Sequence, residues 1–262
     1  MLRALYSSAS GMESQQMNLD VIANNLANVN TTGFKKAKIE FQDLLYQTKR
    51  AAGAESGPGT QVPTSLQIGH GSRPVSTAKI FTAGEIMSTG ERLDLAIHGN
   101  GFFKVTLADG TNAFTRDGGF KLDSTGQIVT SDGLPVTSFA GVTISPEATN
   151  VSISQTGIVS VTQNGTTSTA GSLVLSRFAN SAGLENIGAN LYRETPASGT
   201  EQTGEPSNAG MGTVQQGYLE LSNVKVVEEM VNLIKAQRAY EINSKAIQAA
   251  DEMMSMSNRL RG

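Results

Sequence analysis

The residue types that could do chemistry are few. His70 and His98 are the only imidazoles in the chain, and cysteine is absent. A Ser-His-Asp site can be assembled in any chain order, because geometry defines it. However, no Gly-x-Ser-x-Gly elbow is present, and His98 sits in a strand-like run. Lack of cysteine removes thiol nucleophiles, disulfides and Cys-based zinc sites. The carboxylates have ordinary explanations. Asp109, Asp117 and Asp132 each precede a glycine, as turns require, and Glu228 and Glu229 suit a helix start. Gly69-His70-Gly71 and Gly99-Asn100-Gly101 are the nearest approaches to a phosphate loop, but neither opens a helix, so both read as turns. The expectation is a chain with no catalytic, cofactor or metal residues, and therefore not an enzyme.

The chain has 262 residues, with 20 Lys+Arg against 23 Asp+Glu and a net charge of −3. A mildly acidic chain without a basic cluster is not a nucleic-acid binder. No apolar run reaches the roughly 18–20 residues of a membrane span, and the first residues lack the pattern of a secretory signal. No membrane insertion is expected, and any export would use a route without a cleaved signal. At 38% hydrophobic and 5% aromatic, the composition does not suggest a deep aromatic-lined pocket.

The elements are visible in how residues are distributed. Of 28 glycines, only Gly11 and Gly33 precede Gly53, and only Gly262 follows Gly217; all seven prolines lie between. Gly and Pro punctuate turns and disfavour helix interiors, so the ends should be helical and the middle built of strands. Leu5, Ala9, Met12, Gln16, Leu19, Ala23 and Leu26 alternate in steps of four and three, a coiled-coil seam with one polar member. A helix over about residues 3–29 would be roughly 40 Å long. Val227, Val231, Ile234, Arg238, Ile242, Ala246, Ala249, Met253, Met256 and Leu260 form a second stripe with a stutter around Arg238. Ser222 or Asn223 is placed to cap this helix. Between them, runs such as Leu93–Ile97, Gly101–Leu107, Val151–Ser154, Ile158–Val161 and Leu173–Leu175 read as short strands joined by tight turns. The fold class is α+β. Its expected domains are an assembly helix at 1–34, an extended connector at 35–74, a β-rich domain at 75–217 with a loose linker at 195–212, and a second assembly helix at 218–262. A further loose stretch covers 51–64.

Two terminal segments carry a resemblance. Residues 23–36 read Ala-Asn-Asn-Leu-Ala-Asn-Val-Asn-Thr-Thr-Gly-Phe-Lys-Lys, and residues 222–245 run from Ser-Asn-Val-Lys-Val-Val-Glu-Glu-Met to Ala-Tyr-Glu-Ile-Asn-Ser-Lys. Together they resemble the terminal signatures of bacterial flagellar rod and hook proteins. Gly99–Val105 and Phe114–Phe120 are similar to that family's shared β domain. The length, and the stretch from Asp43–Gln47 through Leu66–Pro74, are similar to its distal-rod members. The positions that match are Asn24, Asn25, Asn28, Gly33 and Phe34 at one end. At the other they are Glu228, Glu229, Gln237, Arg238, Tyr240, Glu241, Asn243 and Lys245; Lys225 departs from the Asn of the family pattern.

The resemblance implies a structural subunit of a hollow helical drive shaft that carries motor torque to the hook. The terminal helices would form an inter-subunit coiled-coil layer through Leu5, Ala9, Met12, Leu19, Leu26, Val227, Val231, Ile234, Ile242, Ala246 and Met253. Implied partners are further copies of the chain, proximal rod proteins, the hook protein, rod-surrounding ring proteins and the flagellar type III export apparatus. The implied location is the periplasmic rod of the basal body. Because the stripes are narrow, the ends are expected to stay largely unfolded until neighbouring helices cover them. The Tyr46–Gly71 segment is expected to brace adjacent subunits and keep the shaft straight. The alternatives are a proximal-rod or short hook protein of the same family and, from another class, a monomeric periplasmic β-rich binding module. In the plainest packing, both stripes would cover the chain's own β domain.

Overall fold

The computed structural model describes residues 2–53, 55–57, 60–139, 141–145, 148–163, 165–208 and 210–260. Within the loose stretch at 51–64, Ala54, Pro58 and Gly59 lie outside the described residues, as do Met1, Arg261 and Gly262 at the chain ends. The chain is α+β and forms two compact units. One comprises residues 1–27, 37–78 and 225–262, and the other comprises residues 28–36 and 79–224.

The first unit holds both long helices, α1 (Leu2–Ala27) and α2 (Val226–Arg259). Their extents match the periodic stripes because neither contains proline, and α1 has one interior glycine, Gly11. A β-ribbon makes up the rest of the unit. In it Ala37–Asp43 pairs with Ser72–Lys79, and Tyr46–Arg50 pairs antiparallel with Leu66–Gly69. Tyr46 stands opposite Gly69, where any Cβ would lie 3.2 Å from the tyrosine ring. Phe41, Leu45, Tyr46, Leu66, Ile68 and Val75 on this ribbon are all exposed.

The helix start differs from the expected cap. Lys225 occupies the cap position and makes no side-chain cap bond. Asn223 is used elsewhere: its Oδ1 accepts the Lys36 N–H at 2.7 Å and its Nδ2 donates to the Ile80 carbonyl at 2.8 Å. The Ser222 hydroxyl accepts from the Val224 N–H. Glu228 and Glu229 lie in the first turn, where the free N–H groups and helix dipole favour negative charge.

The second unit is mainly β. A four-stranded antiparallel sheet runs in the order Glu185–Gly188, Leu191–Arg193, Asn112–Thr115, Phe103–Thr106. A three-stranded sheet contains Asn150–Ile153, Ile158–Gln163 and Thr166–Ser172. Shorter pairs join Leu95–His98 to Thr213–Gln216 and Ile86–Ser88 to Tyr218–Glu220. The Asp109-Gly110 and Asp132-Gly133 turns close as expected, with Gly110 N–H on the Leu107 carbonyl at 2.9 Å and Gly133 N–H on that of Thr130 at 3.0 Å.

Strand alternation divides the interior in two. Phe103, Ala113 and Leu191 face an aliphatic core with Leu95, Ile97, Val105, Val159, Leu173 and Leu175. Their chain neighbours Phe102, Phe114 and Tyr192 face the opposite way, into an aromatic cluster with Phe178 and Leu184. Few aromatics are present, but they are concentrated, and the rings meet edge-on at 4.7–6.1 Å. The stretch at 195–212 is not loose. Gln202–Gly204 pairs with Leu175–Arg177, Ser198 is fully buried, and Met211 enters the aliphatic core. Its small polar residues make specific backbone bonds that composition does not reveal; the Ser198 hydroxyl, for instance, donates to the Thr195 carbonyl at 2.8 Å.

Candidate assembly site

In the first unit, Gly11 of α1 lies against Asn243 of α2, and Asn25 lies against Glu229, so the helices pair antiparallel. The paired faces are small and polar. Asn25, Glu229, Ala236 and Ala250 are buried; Ser14 is buried too, with its hydroxyl 3.3 Å from that of Ser72 on the ribbon, and Ile22 is the buried large apolar residue of α1 among the described residues. A Cβ at Gly11 would come within 2.9 Å of the Asn243 amide, which marks the close approach of the helices.

Asn25 links three segments of this unit. Its Oδ1 accepts the Ala37 N–H at 2.9 Å, its Nδ2 donates to the Ala37 carbonyl at 2.9 Å, and the same amide reaches Glu229 Oε2 at 3.3 Å. One side chain therefore ties the end of α1 to both the first ribbon strand and the first turn of α2.

The apolar stripe of α2 is largely exposed. Val227 is 76% exposed, Val231 45%, Ile234 54%, Ile242 66% and Met253 49%. Ala246 is exposed as well. On α1, Leu5, Met12, Leu19 and Leu26 are half-buried, and Ala9 is exposed. The helix pair thus buries small and polar side chains along the chain's own contact and leaves apolar side chains exposed on α2, with Val227, Val231 and Ile234 about a turn apart.

The other motif positions divide by burial. Asn24, Glu228, Gln237, Tyr240 and Lys245 are exposed, Asn28 and Asn243 are half-buried, and Arg238 pairs with Glu241 at 2.9 Å on the open surface. An exposed pair of this kind contributes little to stability.

In the second unit, residues 28–36 are held by a buried charge cluster that sequence reasoning missed. Gly33 has φ of +67°, and a Cβ there would meet the Asp117 nitrogen at 2.5 Å, so both conformation and space demand glycine. Its N–H donates to the Glu220 carbonyl at 2.8 Å. Phe34 is buried beneath the Lys79 ammonium, 4.3 Å from its ring centre. The next residue, Lys35, is fully buried and donates to Glu220 Oε1 and to the Thr82 carbonyl at 2.8 Å. Glu220 Oε1 also accepts the Gly84 N–H at 2.9 Å, and Oε2 accepts Arg116 Nη1 at 3.2 Å. Burial pushes the Lys35 ammonium below its usual range, opposed by attraction to Glu220. The same desolvation lowers Arg116 and raises the Tyr192 phenol to about 12. The available signal was the adjacency of Lys35 to the Gly33-Phe34 pair, but its partners Thr82 and Glu220 lie 47 and 185 positions away in the chain.

His98 is an exposed strand end paired with Thr213. Among the described residues, no group of three or more His, Cys, Asp or Glu side chains is arranged to hold a metal ion. Among the described residues, no helix is long and apolar enough to cross a membrane.

Comparison with known proteins bears on what the exposed stripe is for. Residues 5–35 match the family described as flagella basal body rod protein, and residues 215–260 match the flagellar basal body rod FlgEFG protein C-terminal family. Residues 96–161 match the flagellar hook protein FlgE/F/G D1 domain. The flagellar basal-body rod protein FlgG of Borreliella burgdorferi is 50% identical over 100% of this chain and 99% of its own length. The chain belongs to the flagellar basal-body rod protein family. FlgG of Bacillus subtilis is 45% identical over 97% of both chains, and FlgF of Caulobacter vibrioides is 37% identical over 95% of this chain and 94% of its own. Members of the rod family are structural proteins of the flagellar basal body, and this chain is not an enzyme. Its two most constrained motif positions, Asn25 and Gly33, fall within the N-terminal rod match, and α2 lies within the C-terminal rod match.

Proposed function

We propose that the chain is a subunit of the distal flagellar rod, self-assembling into a hollow helical shaft that transmits torque to the hook. The observation that carries this reading is the uncovered stripe Val227, Val231, Ile234, Ile242 and Met253 on a helix within the C-terminal rod match. A contact between that stripe and a different surface on the next copy is head-to-tail, and such contacts propagate into helical filaments rather than closing as dimers. The half-buried Leu5, Met12, Leu19 and Leu26, with Ala9, extend the apolar surface on α1, and Ala246 supplies a point of close approach on α2. Identity near or above 45% to proteins named FlgG, against 37% to one named FlgF, favours the distal over the proximal position.

The intrachain helix pair buries mostly small and polar groups, so it contributes little hydrophobic free energy. That supports a subunit whose helices become stably ordered when neighbours cover the stripe, coupling folding to assembly. The exposed apolar residues of the β-ribbon, Leu45, Tyr46, Leu66 and Ile68, suit a brace between adjacent subunits that keeps the shaft straight. Proximal rod proteins, the hook protein and surrounding ring proteins are the neighbours such a position requires. Delivery to the periplasm would be through the flagellar type III export apparatus without a cleaved signal.

The test is Val227→Asp. Val227 is 76% exposed and lies in the first turn of α2, where a carboxylate favours the helix dipole. The dilute subunit should keep its stability within about 0.5 kcal/mol, while rod assembly and motility are lost. Normal rods carrying the variant would remove the stripe from the interface.

A further inference from the structure

The aromatic cluster of the β unit opens onto a cavity of about 280 Å³ lined by Phe81, Phe102, Phe178, Asn100, Arg116 and Arg177. Phe81 and Phe102 meet edge-on at 5.5 Å, and Phe102 and Phe178 at 6.0 Å, so three ring surfaces converge on the space. Two of the six named lining residues are arginines, and among the described residues no carboxylate lines the cavity.

Arg116 is 3% exposed, and its donors are incompletely matched. Nη2 donates to the Gly99 carbonyl at 2.6 Å, and Nη1 is divided between the Ile97 carbonyl at 3.4 Å and Glu220 at 3.2 Å. Its Nε is a buried donor without an acceptor among the described residues. A buried donor left unmatched is costly, and native proteins rarely retain one without a reason. The charge balance points the same way. Lys35 and Arg116 both take Glu220 as their partner, so two buried cations share one buried carboxylate. A second carboxylate at Arg116 would balance that pair and give the guanidinium a full set of acceptors. Guanidinium groups are suited to this because their planar donors match a carboxylate edge.

We propose that this cavity binds a carboxylate on a small, flat apolar body, with the charged end toward Arg116 and Arg177 and the body among Phe81, Phe102 and Phe178. The inference rests on the cavity of the β unit alone and is independent of how subunits assemble.

Benzoate is the probe, and its neutral isostere benzamide is the control. Binding to the dilute full-length chain is followed by calorimetry, and the site is located by intermolecular NOEs between the probe and phenylalanine ring protons. Charge-assisted hydrogen bonds are about twice as strong as neutral ones, so benzoate should bind at least about tenfold more tightly than benzamide. Arg177→Met should weaken benzoate by about tenfold and leave benzamide unchanged. The NOEs should fall on Phe81, Phe102 and Phe178, which gives a readout that does not depend on any variant folding. A blocked Leu-Glu-Leu tripeptide run in parallel separates two sources of the same chemistry. Tighter binding of the tripeptide assigns the site to a protein side chain, and tighter binding of benzoate assigns it to a free aromatic acid. The proposal is overturned by equal affinity for benzoate and benzamide, by NOEs elsewhere, by an Arg177→Met variant that binds benzoate unchanged, or by no binding of either carboxylate.

Discussion

Replacing Glu220 by Gln keeps the shape of the side chain and removes its charge. In the folded chain Glu220 is 1% exposed, Lys35 is fully buried and Arg116 is 3% exposed. Oε1 accepts from Lys35 and from the Gly84 N–H, and Oε2 accepts from Arg116. Glutamine can supply one acceptor, but its amide NH₂ must then face a cation, and neither Lys35 nor Arg116 retains a buried counter-charge. Breaking a buried pair in this way costs about 3–5 kcal/mol, because the remaining charge is uncompensated. In a unit of this size that corresponds to a fall in melting temperature of roughly 10 °C. Urea unfolding followed by tyrosine fluorescence and far-UV circular dichroism gives the free energy, and an unchanged slope shows that the same surface unfolds. Adding Lys35→Met to Glu220→Gln should recover at least half of the loss, since it removes one unpaired cation and leaves an apolar side chain of similar length. A loss below about 1 kcal/mol for Glu220→Gln, or no recovery in the double variant, would refute the view that this cluster holds residues 28–36 in place.

Three further outcomes follow from the same contacts. Gly33→Ala forces a Cβ into the left-handed region and to within 2.5 Å of the Asp117 nitrogen, so it should cost well over 1 kcal/mol in thermal melts. Asn25→Ala removes both bonds to the Ala37 backbone and the contact to Glu229, and should destabilise the helix unit by about 2–3 kcal/mol, seen as faster amide exchange near residues 25 and 229. Tyr192 holds its proton to about 12 in the folded chain against 10 in the unfolded one, so the stability it confers below pH 10 is lost as pH rises toward 12. Tyr192→Phe should therefore lose about 2–3 kcal/mol less than the parent chain between those two pH values, measured by urea unfolding at each.

The two helices were legible because proline is absent from the ends and apolar residues recur at heptad spacing. What the spacing did not reveal is which face serves which contact. Hydropathy marks Val227, Val231 and Ile234, and these are the uncovered residues. The face used within the chain consists of Gly11, Ser14, Asn25, Ala236 and Ala250, whose small size permits close approach but adds nothing to an apolar pattern. The strands and Asp-Gly turns were similarly readable, since their signals are local. Lys35, Arg116 and Glu220 were not, because each looks like an ordinary surface charge until the fold brings positions 35, 116 and 220 together. Composition misled at 195–212, where Thr195 and Ser198 bond backbone groups and Ser198 is buried.

Asn25 and Glu229 are 204 positions apart, yet the pairing of α1 with α2 runs through them. Closing a loop of that size costs several kcal/mol of chain entropy before any contact is made. It also sets an order of events. Local hairpins such as Tyr46–Arg50 with Leu66–Gly69 need only nearby chain and can close early. The helix pair needs the last 37 residues of the sequence, from Val226 onward. A chain emerging N-terminus first from a ribosome or a narrow conduit therefore cannot complete this pairing until its tail is released. α1 is made long before the helix that covers it, and it stays unmatched until Val226–Arg259 follows.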